Sequence, residues 1–187
     1  MKSLFPAICA LALLCACVSS RPDHFYILST QPAGASEPRS PSATSVTLKV
    51  TLPSLVDRAA IVVNTAGDGV AILEHERWGA PLSDLVTQTL ARDLERRRAD
   101  VLVAGPAADR SAGAAIKISV DIVQMNMRPG DRASIDARWR ITDTRSATTV
   151  TGGDAFSVPL AGGYAGIPQA LSDCLGQLAE RLIKQMQ

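Results

Sequence analysis

Along Val46, Leu48, Val50 and Leu52, apolar residues alternate with polar ones, the period of a strand with one buried face. Pro53 ends the run. Ile61-Val62-Val63 predicts a second, β-branched strand. Thr65 to Gly69 supplies turn residues, and Val70 to Leu73 returns as the hairpin partner. At Pro81 the period lengthens. Leu82, Leu85, Val86, Leu90 and Leu94 share one helical face. Pro81 suits the first turn, where a missing N–H costs nothing. Asp84 and the run Arg96-Arg97-Arg98 complement the two ends of the helix dipole. Asp100 to Ala104 predicts a strand cut off by Gly105-Pro106.

Ile116, Ile118, Val120 and Ile122 alternate inward. Then the phase flips, and Val123, Met125 and Met127 become the apolar set. A one-residue phase change inside a strand is the mark of a β-bulge. Arg128 to Asp131 reads as a turn. Ala133, Ile135, Ala137, Trp139 and Ile141 then alternate against Ser134, Asp136, Arg138 and Arg140. Thr148 to Val158 predicts a further strand, weakened by Gly152-Gly153. From about Ile167 to Met186, the positions Leu171, Cys174, Leu175, Leu178, Ala179, Leu182, Ile183 and Met186 form a helical stripe. The order β-β-β-α-β-β-β-β-α predicts an α+β two-layer sandwich. In it a largely antiparallel or mixed sheet carries two helices packed on one face.

The N-terminal pattern is of another kind. Lys2 is followed by an apolar run from Leu4 to Ala16, about 13 residues, signal-peptide size and short of a membrane span. It ends in Leu14-Cys15-Ala16-Cys17, which looks like a bacterial lipobox. Signal peptidase II would cut before Cys17, whose thiol would carry diacylglycerol. The division expected is therefore a signal peptide over 1–16, a lipidated tether and linker over 17–45, and a single α+β domain over 46–187. The linker holds a short apolar patch, Phe25-Tyr26-Ile27-Leu28, then a stretch rich in Pro, Ser, Ala and Gly. Several acyl chains at ~0.8 kcal/mol per buried CH₂ make a stable anchor. Val18, rather than Asp, follows the cysteine, and this favours the outer membrane.

Composition removes other classes. Lys and Arg total 19 against 18 Asp and Glu, which leaves no electrostatic footprint for nucleic acid. Aromatics are 4%, too few for a base-stacking platform. With 2 His and 4 Cys, three of them in the first 17 residues, a zinc or iron–sulfur site lacks ligands. No metal and no cofactor beyond the covalent lipid on Cys17 is expected. His75 stands in Glu74-His75-Glu76, but adjacent residues point to different sides, so both carboxylates cannot serve one local site. No catalytic residue is assigned. Cys174 sits mid-stripe and is expected to be buried and inert. The Arg96 to Arg98 run reads as a solvated helix end, with contact to anionic headgroups as the alternative. Trp139 reads as core. Trp78 either staples the helix start or anchors a partner.

The block Leu52-Pro53-Ser54-Leu55-Val56-Asp57-Arg58-Ala59-Ala60-Ile61-Val62-Val63, continuing through Glu76-Arg77-Trp78-Gly79-Ala80-Pro81-Leu82, resembles the ABC-type transport auxiliary lipoprotein family. Paraquat-inducible protein C is its best-known member. The lipobox and Phe25-Tyr26-Ile27-Leu28 fit the same order of motifs. Val56 is an insertion before Asp57-Arg58, Ala59 stands for a proline, and Gly79-Ala80 stands for Ala-Glu. The resemblance implies a non-enzymatic, outer-membrane-anchored lipoprotein facing the periplasm. Its implied partners are a periplasmic protein of the mammalian-cell-entry type and inner-membrane transporter components that move lipid and preserve envelope integrity. Cys17 carries over as the lipidation site, and Arg77 and Trp78 as motif positions of unknown role; an aromatic beside an arginine has the composition of an interface hot spot, so both are expected at a partner contact. A homo-oligomer is left open. The alternative reading is a lipoprotein that itself holds a lipid between sheet and helices.

Overall fold

The computed structural model describes residues 21–30, 43–104 and 114–186. The expected signal peptide, Cys17 and residues 31–42 of the linker lie outside them. Among the described residues eight strands and two α-helices follow in the order β1 (His24–Tyr26), β2 (Thr44–Thr51), β3 (Ala60–Asn64), β4 (Val70–Trp78), α1 (Leu82–Arg97), β5 (Val101–Val103), β6 (Ile116–Arg128), β7 (Arg132–Asp143), β8 (Thr148–Pro159) and α2 (Ile167–Gln185). This is the α+β sandwich that the periodicity predicts. The strands divide into two mixed sheets, ordered β1-β4-β3 and β5-β2-β6-β7-β8.

In the larger sheet β2 runs parallel to both β5 and β6, while β6, β7 and β8 form an antiparallel meander. Its inner face is the apolar phase of each strand: Val46, Ile118, Val120, Ile122, Ile135 and Ile141. Helix α1 packs over β2 and β5, α2 packs over β7 and β8, and the helices touch each other. Leu82, Val86, Leu90 and Leu94 of α1 meet Leu171, Leu175, Leu178 and Leu182 of α2 in one fully buried cluster. Each such side chain contributes about 1.5–3 kcal/mol through burial. Gly130 closes the β6–β7 turn with φ 81, a conformation that costs glycine nothing.

The phase flip in β6 is a bulge. Ile122 pairs with Ala137 and Gln124 with Asp136, so Val123 is the extra residue and lies exposed. Pairing of β2 with β6 ends at Asp121, just before the bulge. Beyond it the β3 end of the small sheet docks instead. Asn64 Oδ1 accepts the Met127 N–H at 2.8 Å, and Asn64 Nδ2 donates to Asn126 Oδ1 at 3.3 Å.

Two expectations need correction. Part of the segment expected as tether belongs to the fold: β1 pairs in parallel with β4, which would otherwise present an open edge. A three-residue strand is too short to show alternation. The arginine run at the end of α1 is not simply solvated either. Arg97 is 12% exposed, pairs with Asp93 at 3.3 Å, and reaches Glu180 of α2 at 3.7 Å. Arg98 holds Asp100 and donates to the Met186 carbonyl. These contacts tie the two helices together, and of the three only Arg96 is classed as exposed.

Candidate partner-contact site

The motif Glu76-Arg77-Trp78 ends β4, and β1 lies beside it. The register pairs His24 with Glu76, Phe25 with Arg77 and Tyr26 with Trp78. Paired residues in a parallel ladder face the same side, so His24, Glu76, Tyr26 and Trp78 share one face and Phe25 and Arg77 the other. Trp78 is 3% exposed and belongs to the main core. This corrects its assignment to a contact surface. The last residue of β4 turns inward because its N–H is bound by the Ala59 carbonyl at 2.8 Å and its ring meets the interlayer. Its indole Nε1 is buried and has no acceptor among the described residues.

Glu76 organises the same face. Tyr26 donates its hydroxyl to Oε2 at 2.6 Å, and His24 Nδ1 lies 3.1 Å from Oε1. The Tyr26 hydroxyl first, then His24, hold the Glu76 carboxyl below the usual range. The hydrogen bond to Glu76, chiefly, pushes the Tyr26 phenol up. His75 Nδ1 sits 2.9 Å from Asp23 Oδ1. Both histidines of the chain therefore fasten the β1 segment to β4 through carboxylates. Gly79 N–H donates to the Tyr26 carbonyl at 2.7 Å and extends the attachment.

On the other face, Phe25 and Ile27 are each 66% exposed, the most exposed large apolar residues among those described. Arg77 is half-buried beside Phe25. Of the two predicted contact residues, the structure keeps Arg77 at the surface and withdraws Trp78. Sequence reading passed over Phe25 and Ile27. Their signal was the apolar patch at 25–28, whose alternation is plain once β1 is known: Tyr26 and Leu28 turn inward, Phe25 and Ile27 outward.

Cys174 is fully buried, with Sγ 3.8 Å from the Ala133 carbonyl oxygen and 3.9 Å from that of Phe156. Burial pushes its thiol up to about 12. Among the described residues no group of three or more metal-binding side chains occurs, and no helix is long and apolar enough to cross a membrane.

Residues 26–182 match the family described as ABC-type transport auxiliary lipoprotein component, and the chain belongs to that family. A comparison with curated protein sequences finds no match. Two solved structures are similar in fold. One, described only as an uncharacterized protein, has a TM-score of 0.73 at 14% identity, covering 89% of this chain and 100% of its own. The other, from Xanthomonas campestris, has a TM-score of 0.66 at 15% identity, covering 86% of this chain and 92% of its own.

Proposed function

We propose that this protein is an outer-membrane-anchored lipoprotein, held by lipid on Cys17, that acts as a non-catalytic docking component of an intermembrane lipid-transport system. Its partner is a periplasmic protein of the mammalian-cell-entry type, served by inner-membrane transporter components. Family membership supports the auxiliary role. The observation that carries the docking role is the pair of Phe25, on β1 opposite Arg77, and Ile27, just past the strand's end, each 66% exposed. Exposed aromatic and aliphatic anchors next to an arginine have the composition of interface hot spots, where truncation costs about 2 kcal/mol or more.

The alternative, a lipid held between sheet and helices, has less support. Leu, Ile and Val side chains fill the interlayer. The cleft that does open there, beside β2, β5 and α1, measures about 370 Å³, and Asp84, Arg92 and Glu95 line it. Leu48, Ala91, Val103 and Ala104 line it as well, so its lining is mixed, and the interlayer around it is filled.

Two readouts test the proposal. Cys17→Ser should leave an unprocessed precursor without palmitate label, and normal processing would end the lipoprotein reading. Phe25→Ser with Ile27→Ser should abolish co-purification with the mammalian-cell-entry partner while the melting temperature holds. Retained co-purification would remove the docking surface from β1.

A further inference from the structure

The helices cover one face of the five-stranded sheet and leave the other open. There the outer face forms a shallow, widely open depression of about 650 Å³. Two cross-strand rows line it. The first runs Lys49, Ser119, Arg140, Thr151 across β2, β6, β7 and β8; the second runs Thr51, Asp121, Arg138, Gly153. Neighbouring strands lie about 4.8 Å apart, so each row brings its side chains within reach of one ligand.

The charge on this face is unbalanced. Lys49, Arg138 and Arg140 line the space with one carboxylate, Asp121, and Asp136 stands two residues before Arg138 on the same face of β7. Asp121 lies directly opposite Arg138, yet it accepts the Thr51 hydroxyl at 2.7 Å and makes no ion pair with the guanidinium. Among the described residues none of the three cations has an ionic partner, a state they share with exposed cations elsewhere such as Arg96 and Lys117. Arg138 and Arg140, two residues apart on one face of β7, repel one another, and Lys49 lies two strands away in the Arg140 row. Gly153, opposite Arg138, adds no side chain. A Cβ there would meet only ordinary contacts, at 3.5 Å to the Ala137 carbonyl oxygen and 3.8 Å to Arg138 Cγ, so packing on this face does not require the glycine.

The geometry points to a binding site for a phosphate group, carried on a phospholipid headgroup. Guanidinium groups meet phosphate oxygens through paired N–H donors, and the Ser119 and Thr151 hydroxyls flanking Arg140 add neutral donors. The choice of headgroup over free phosphate rests on the family's lipoprotein character, which keeps a membrane nearby. The site lies on a different sheet from Phe25 and Ile27 and is independent of partner docking.

The test uses the full chain in non-ionic detergent, titrated with glycerophosphoglycerol, inorganic phosphate and glycerol, with affinity read by calorimetry. Glycerophosphoglycerol should bind and weaken as salt rises. Arg138→Gln with Arg140→Gln should reduce its affinity at least tenfold, and Lys49→Gln alone by a smaller factor, while melting temperature stays level or rises. Glycerol should not bind. Equal affinity for inorganic phosphate would keep the anion site but overturn the headgroup assignment. Binding unchanged in both variants, absent altogether, or matched by glycerol would overturn the site. A large fall in melting temperature in both variants would assign these cations to the fold and also overturn it. None of these readouts depends on whether Cys17 is lipidated, so failure here is distinct from failure of the anchor.

Discussion

Gly152 lies opposite Trp139 across the β7–β8 ladder and leaves the space that the indole occupies: a Cβ at residue 152 would lie 2.2 Å from Trp139 Cζ2. The ring sends its Nε1–H to Asp154 Oδ2 at 3.0 Å. Arg181 of α2 holds the other oxygen of that carboxylate, also at 3.0 Å. The glycine is thus what lets β8 close over a tryptophan and reach the C-terminal helix.

Gly152→Ala should therefore destabilise the protein by about 1–3 kcal/mol, because either the indole or the strand must move. In a domain of this size that lowers the melting temperature by roughly 3–10 °C. Gly153→Ala, with no contact tighter than 3.5 Å, should be neutral within about 0.5 kcal/mol. Equal melting of the two variants would show that the Trp139 packing does not depend on the missing side chain.

Trp78→Ala should cost about 3–5 kcal/mol, as truncation of a buried aromatic does, and lower melting by around 10 °C. Trp78→Phe should cost much less. It keeps most of the ring volume and removes a buried N–H that has no acceptor among the described residues. A Phe variant as damaged as the Ala variant would mean that the indole nitrogen contributes to the fold.

Acid should loosen β1 before it unfolds the core. The Glu76 carboxyl lies below its ordinary value of 4.5 in the folded protein, so its contribution is present above that value. It is lost as pH falls through the folded value. Hydrogen-exchange protection of the Gly79 amide, which binds the Tyr26 carbonyl, reports on β1. It should drop below about pH 4.5 while protection in β7 persists. Tyr26→Phe should shift that loss to higher pH. Parallel loss at Gly79 and in β7 would mean that β1 and the core open together.

Cys174 should label slowly with thiol reagents in native protein and fast in denaturant. Its thiol is raised from 9.0 to about 12 in the fold, so stability is full below pH 9 and declines as pH rises toward 12. The loss is roughly 1.4 kcal/mol per pH unit over that window. Cys174→Ser should flatten this alkaline decline. Fast native labelling near neutral pH would contradict the burial.

Whatever depends on one element's own period was legible in the sequence. The alternation of β7, the stripe of α2 with Cys174 inside it, and the β6 bulge all record which side of a single strand or helix meets the core. The order of motifs that places the chain in its family is local too. Tertiary structure decided what depends on distant neighbours. Strand β1 exists only because β4, about fifty residues on, offers an edge. Its pairing turns Phe25 and Ile27 outward. Trp78 lies in the core because β4 ends beneath the interlayer, and Arg97 bridges to Glu180 because α2 returns alongside α1. The cationic face follows the same logic. The alternation of β7 already put Arg138 and Arg140 on one side, but only the pairing of β2 and β8 around β6 and β7 brings Lys49 and Thr151 into their row. A side chain's period is written in its own segment, whereas its neighbours are set by the register of strands far apart in the chain.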